Sequence, residues 1–240
     1  MDAREIFNSP FAIYYEKVIN RISAPRVNKW RLSLIRGVSA LRPDAKFVMD
    51  FCSGAGNVGE LYLKENPNAV LVNCDISKPL LGLAKARFEK RAHYVCADNR
   101  FFPVKSSSLD VLFSSFCVRN SLNPLLTVKE ASRVLKEGGV WGVLDFFRLN
   151  KRNIFVTAND IVFKSFMSIS KLFAPSHSGA IDYLFESIDS FYSVEEFSSI
   201  LECNGFEVVE VKSFMGGIAH AVIAVKKTFS CGHLLTVSFR

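Results

Sequence analysis

The sequence predicts an α/β fold, a doubly wound and mostly parallel seven-stranded sheet, on three observations. First, apolar segments of strand length near residues 46–52, 69–75, 92–97, 109–115 and 139–146 alternate with helical patterns near 57–65, 77–90 and 123–136. Such alternation implies parallel strands with helices packed on both faces. Two more strands, near 206–213 and 218–226, follow a helix at 193–204 and bring the total to seven. Second, the run Phe47-Val48-Met49-Asp50-Phe51 enters a turn bearing Gly54, Gly56 and Gly59 and then a helical pattern through Leu61 and Leu63. Glycine at a strand-to-helix turn permits positive φ and close approach of backbone to a ligand. Third, 240 residues with 49% hydrophobic and 22% charged side chains suit one well-filled globular domain.

The flanking segments are read from the same periodicities. Residues 5–40 carry two helical patterns separated at Pro25, one through Phe11, Tyr14, Tyr15, Val18, Ile19 and Ile22, the other through Trp30, Leu32, Leu34 and Ile35. They form an N-terminal helical cover over residues 1–45. Gly138-Gly139 is expected to end the helix before the fifth strand, and Gly205 the helix before the sixth. Gly216-Gly217 makes the final turn. Residues 151–191 interrupt the strand–helix alternation with two apolar helices broken at Pro175 and Gly179, as a lid insertion would. A single domain then spans 1–226, and the tail 227–240 has no assignment.

Charge is unevenly placed. The net charge is +7, and residues 1–46 hold nine Lys/Arg against Asp2, Glu5, Glu16 and Asp44. A basic segment suits an anionic membrane surface or nucleic acid, or is simply a solvated helix face. The 22 phenylalanines fit either a large core or a greasy ligand site. Six cysteines (52, 74, 96, 117, 203 and 231) show no metal-ligand spacing, so no metal is expected, and they read as reduced, buried hydrophobes. No apolar signal region opens the chain and no run reaches membrane-spanning length. A cytoplasmic protein, soluble or peripheral to a membrane, is expected.

Gly54-x-Gly56-x-x-Gly59 with Asp75 at the end of the next strand satisfies a dinucleotide fingerprint. Three features point away from a dehydrogenase. Asp50 and Phe51-Cys52-Ser53 stand between the strand and the glycines, helices precede the first strand, and Ala97-Asp98-Asn99 follows the third strand, with Leu135-Lys-Glu-Gly-Gly139 further on. Asp50–Gly56, Asp75, Asp98 and Leu135–Gly139 together resemble the motif series of the class I, Rossmann-like S-adenosylmethionine (SAM) methyltransferases. The resemblance implies SAM as cofactor and S-adenosylhomocysteine as product. Backbone at Ser53, Gly54 and Gly56 would approach the methionine part. Asp75 would accept from the ribose hydroxyls and Asp98 from the adenine amino group, Asn99 adding a backbone N–H. Asp50, Ile76 and Ser115 complete the implied cofactor site.

The methyl acceptor is argued from the segment after the fourth strand. Methylation of exocyclic amines in nucleic acid usually brings an Asn/Asp-Pro-Pro-aromatic motif, and this chain has Ser115-Phe-Cys-Val-Arg119-Asn120. Cys117 lacks the setting of a cytosine C5 nucleophile. No nucleic-acid partner is expected. Phe116-x-x-Arg119-Asn120 instead resembles the Phe-x-x-Arg-Asn motif of the menaquinone/ubiquinone biosynthesis C-methyltransferases. Tyr183-Leu-x-Glu186-Ser187-Ile188 and the Tyr15-Glu16, Ser23, Trp30 spacing agree with that family. The resemblance implies transfer to a ring carbon of a lipophilic, reduced demethylated quinone. Arg119 would orient and stabilise the acceptor oxygen, Asn120 would hydrogen-bond it, and Tyr15 would border the ring and relay a proton. Arg119 could also pair with Asp145 or Glu130. Residues 151–191 would seat an isoprenoid tail or pack as ordinary core. Other readings are methylation of another small phenol or acid, and a non-catalytic interaction module. Oligomeric state stays open, a homodimer included.

Overall fold

The computed structural model describes residues 10–88, 91–149 and 178–228, with side chains from residue 25 onward and, in the last segment, from residue 182 onward. The strands are β1 (Phe47–Phe51), β2 (Val70–Asp75), β3 (Ala92–Cys96), β4 (Leu109–Ser115), β5 (Leu135–Phe146), β6 (Phe206–Phe214) and β7 (Ala219–Lys226). The described helices are α1 (Pro10–Leu41), α2 (Asn57–Glu65), α3 (Lys78–Phe88), α4 (Pro124–Val134), α5 (Ser178–Ser190) and α6 (Val194–Cys203), with a 3-10 turn at Val118–Asn120. The sheet order is β3-β2-β1-β4-β5-β7-β6. Strands β1 to β5 pair in parallel, and β7 runs antiparallel to both β5 and β6. The chain reverses winding between β1 and β4, so a crevice opens beyond their carboxyl ends, where open α/β sheets bind ligands.

Each face of the sheet is buried by its own apolar set. Trp30, Leu34, Ile35 and Val38 of α1 join Tyr62 and Phe88 against Val48, Val111 and Ile223. On the other face Val128, Ala131, Phe197 and Leu201 cover Met49, Leu112, Trp141 and Val222. Among the described residues most of the phenylalanine packs here. Phe51 packs on Phe102 with ring centroids 4.9 Å apart, and Phe147 on Phe197 at 5.6 Å. Trp141, fully buried, donates its indole N–H to Ser114 Oγ at 3.2 Å, so no polar group is stranded there.

Two expected boundaries differ. Residues 10–41 form one helix rather than two, with Pro25 inside it. Proline removes one N–H from the helical ladder, but the apolar face from Trp30 onward docks on the sheet and carries the helix across. The helix before β5 ends at Val134, not at the glycine pair: Leu135 already pairs with Leu109, and Gly138-Gly139 lie within the strand at a register shift. Gly138 has φ +68°, and a Cβ on Gly139 would stand 2.8 Å from the Lys136 carbonyl oxygen. These glycines serve a bulge. Gly205, at φ +86°, ends α6 as expected. The expected lid lies in part outside the described residues (151–177), and its second helix is α5.

Ile35 is fully buried between α1 and the sheet. Ile35→Ala is expected to cost ~2–5 kcal/mol in urea unfolding, and a loss below about 1 kcal/mol would contradict this packing.

Candidate active site

Apart from Tyr15, the residues singled out in the sequence lie along the carboxyl edge of β1 to β5. At the end of β1, Gly54 has φ +55°, and a Cβ built there would meet nothing within 4 Å. The turn thus offers bare backbone to open space. Gly56, at φ +79°, caps α2, and a Cβ there would stand 2.3 Å from the Phe88 ring. Asp75 pins this turn: one carboxylate oxygen accepts from the Gly54 N–H at 2.8 Å, and the other from the Ser77 N–H at 2.8 Å. A carboxylate has about four acceptor positions, so these bonds leave room for ribose hydroxyls. Ser53, buried, donates its backbone N–H to the Cys74 carbonyl at 3.1 Å, and its hydroxyl has no partner. The half-buried Ile76 directly follows Asp75.

Asp50 lies under the start of α2. Its carboxyl is almost fully buried and neither oxygen has a hydrogen-bond partner. Burial pushes its pKa up to about 7, offset only in part by the Gly59 backbone and the Arg31 charge. Beside it in register stands Asn73, also buried, with both amide atoms without partners. Arg31 is buried as well and donates to Ser115 Oγ at 3.5 Å. Sequence reading missed Arg31, which looked like one more surface cation of the basic segment. It also missed Asn73, whose only signal is a polar residue within an apolar strand.

Asp98 makes a bidentate pair with Arg100, at 2.9 and 2.7 Å. A bond to adenine would therefore use its remaining lone pairs beside the arginine. Asn99 turns its amide toward the sulfurs of Cys52 and Cys117, at 3.8 and 3.7 Å, and accepts from Ser121 Oγ at 3.1 Å. These two cysteines form a disulfide, with Cα atoms 5.8 Å apart, which corrects their reading as reduced. Neighbouring strands bring them together, since Phe51 pairs with Ser114, a proximity that 65 residues of separation conceal. Cys74 is free and buried, while Cys96 and Cys203 are free and exposed rather than buried.

Arg119 and Asn120 follow β4 in the 3-10 turn. The Arg119 side chain is 7% exposed and pairs with the wholly buried Asp145 at 2.6 Å. Its Nε donates to Ser187 Oγ at 3.2 Å, and its guanidinium lies 5.3 Å from the Phe146 ring centroid. Burial raises the Asp145 pKa, and the Arg119 charge and hydrogen bonds act against that rise. Asn120 donates to the Phe116 carbonyl at 3.0 Å and accepts from the Tyr183 hydroxyl at 3.0 Å. The two motifs, 116–120 and 183–188, thus meet through side chains. His220 stands opposite Asp145 in register, and burial lowers its pKa, with the Glu195 charge acting against that fall. Tyr15 belongs to α1, but its side chain lies outside the described residues. Among the described residues no cluster of His, Cys, Asp or Glu could hold a metal.

The ubiE/COQ5 methyltransferase family matches residues 2–226. The chain belongs to that family. It is 31% identical to a ubiquinone/menaquinone biosynthesis C-methyltransferase of Campylobacter jejuni, over 92% of this chain and 96% of that one. It is 27% identical to a demethylmenaquinone methyltransferase of Protochlamydia amoebophila, over 92% and 93%. It is 31% identical to a mitochondrial 2-methoxy-6-polyprenyl-1,4-benzoquinol methylase of Caenorhabditis elegans, over 71% and 61%. Among solved structures, the plantazolicin methyltransferase BpumL in complex with SAH superposes with a TM-score of 0.68 at 14% identity, covering 94% of each chain. A SAM-dependent methyltransferase from Aquifex aeolicus gives 0.53 at 17%, over 75% and 82%. This ubiE/COQ5 member is a SAM-dependent methyltransferase. The open cradle at Gly54 and the unpartnered Asp50 carboxyl fit a cationic cofactor that needs bare backbone and an anion.

A cationic cofactor favours the ionised form of Asp50. Because burial raises that pKa to about 7, SAM binding is expected to tighten as pH rises from 6 to 8, with release of a proton measurable by calorimetry in buffers of different ionisation enthalpy. Affinity independent of pH across that range would remove Asp50 from the cofactor site.

Proposed function

We propose that this enzyme methylates a ring carbon of a reduced, demethylated quinone such as a demethylmenaquinol. The observation that carries the reading is the junction of two segments at the crevice, Arg119 to Ser187 and Asn120 to Tyr183. It joins the turn after β4 to α5, beside the turn after β1. Relatives named for quinone biosynthesis support the same acceptor.

The ring carbon of a quinol is nucleophilic when the neighbouring hydroxyl is ionised. A phenol with a pKa of about 10 needs roughly 4 kcal/mol for that at neutral pH. SAM, when bound, supplies the transferable methyl on a positively charged sulfur. A guanidinium makes a poor general base, so Arg119 orients the oxygen rather than removing its proton. Its charge is already matched by Asp145, so its contribution is directional: among the described residues Nη2 makes no hydrogen bond and can donate to the acceptor oxygen. Asn120, oriented by Tyr183, adds a second polar contact. Tyr15 borders the ring in this proposal and passes the proton to water. Alignment and exclusion of water supply much of the acceleration. Cofactor contacts are assigned to Asp50, Ser53, Gly54, Gly56, Asp75, Ile76, Asp98, Asn99 and Ser115. The isoprenoid tail leaves toward residues 151–191, and the basic N-terminal segment meets the anionic bilayer surface that holds the quinol. No helix among the described residues is long and apolar enough to cross a membrane.

Labelled methyl transfer from SAM tests the acceptor, with demethylated naphthoquinols, benzoquinols, their oxidised forms and a tail-less phenol as substrates. Label is expected in the ring carbon of a quinol and absent from the quinones. Equal transfer to the phenol would overturn the assignment. Arg119→Lys is expected to keep SAM affinity and lose turnover by roughly 10²-fold, as for removal of an oriented donor. Unchanged turnover would remove Arg119 from the mechanism. Arg119→Ala also leaves Asp145 buried without its partner, at a cost of ~3–5 kcal/mol in stability, so lysine is the cleaner test.

A further inference from the structure

The disulfide sits at the point where the sheet reverses its winding. Cys52 is the first residue beyond β1, directly before Ser53-Gly54, and Cys117 lies two residues beyond β4, directly before Val118-Arg119-Asn120. We propose that this pair is a reversible redox cross-link that gates the crevice. As a disulfide it ties the donor turn to the acceptor loop and slows turnover, and as a dithiol it lets them move. This inference rests on the reading of the crevice as the place where cofactor and acceptor meet.

One partner, and the residue beside the other, lie in backbone that side chains rarely adopt. Cys52 has φ +50°, and Phe116, next to Cys117, has φ +56°. Such residues persist where the surroundings hold them, and they cluster at switching and binding segments. The fold does not depend on the bridge to keep the loop in place. Phe116 donates its N–H to the Leu144 carbonyl at 2.7 Å, Arg119 is anchored on Asp145, and Asn120 on Tyr183. Reduction therefore loosens the loop without unfolding it. The change reaches further through Asn99, whose amide touches both sulfurs and whose carbonyl oxygen accepts from Ser121. Admission of a quinol and release of its methylated product need the loop to part from the turn, and such steps often limit turnover.

The exchange balances with a small-molecule disulfide as oxidant. The half-buried Cys52 thiolate attacks one sulfur of that disulfide, breaking its S–S bond and expelling one thiolate, which takes up a proton. The buried Cys117 thiolate then attacks the Cys52 sulfur and expels the second. Two protein S–H groups become one S–S bond, and the oxidant leaves as two thiols. A dithiol reductant reverses both steps. Cys74 does not compete, because burial pushes its thiol up to about 12. Oxidising conditions also convert a quinol acceptor into a quinone, whose ring carbon has lost its electron richness, so both changes stop methylation together.

The test uses the full chain, oxidised with glutathione disulfide or reduced with dithiothreitol, with reagents removed and thiol state read by alkylation and mass. Turnover is measured under argon on quinol prepared beforehand, and hydrogen exchange is followed at residues 116–121. The reduced form is expected to turn over at least ~5-fold faster, a change of the size that gating steps produce, and to exchange faster in that segment. Cys52→Ser and Cys117→Ser are expected to give one rate before and after oxidant. Equal rates and equal exchange in the two states, or Cys52 and Cys117 thiols that stay alkylatable under oxidant, would overturn the proposal. Redox-dependent exchange with no methyl transfer in either state would support the cross-link and overturn the quinol assignment instead.

Discussion

The carboxylate of Asp75 is the constraint on which the crevice depends. It sits at the end of β2 and holds two backbone N–H groups, one in the turn after β1 and one at the entry to α3. A buried carboxylate bonded to backbone N–H groups is a strong local anchor. Here it fixes the Gly54 end of the turn, which has no side chain and faces open space, while Ser53 is held by its N–H to the Cys74 carbonyl. The same group stands at the carboxyl end of β2, at the edge where the cofactor is proposed to sit.

Around that anchor the two halves of the site are built differently. The half proposed for the cofactor is backbone and carboxylates at the ends of β1, β2 and β3. The half proposed for the acceptor is a set of linked side chains, in which Arg119 joins Asp145 to Ser187 and Asn120 joins Phe116 to Tyr183. The second arrangement depends on α5 docking against the turn after β4. Binding of an acceptor can thus be felt by the helical segment that follows β5, through hydrogen bonds rather than through the core.

Much of this was legible in the sequence because it is local. Alternating apolar runs marked seven strands, and the glycine turn, Asp75 and Asp98 could be placed at strand ends from their local order. What stayed hidden involves contacts between distant residues. The pairing of β1 with β4 makes Cys52 and Cys117 neighbours, and no spacing in the chain announces it. Arg31 looks like any surface arginine until α1 packs down and buries it near Asp50. Pro25 reads as a break only because periodicity does not register the sheet that holds α1 together on its far side. Asp145 was one of two candidate partners for Arg119, and only the parallel pairing of β4 with β5 selects it.

Calorimetric titration of SAM onto the protein and onto Asp75→Asn measures the anchor most directly. The asparagine is close in size but can accept at only one atom and carries no charge. The account predicts an affinity loss of about 10-fold or more with the fold intact by circular dichroism, in line with loss of a charge-assisted bond. Undiminished SAM affinity in a folded Asp75→Asn protein would contradict it.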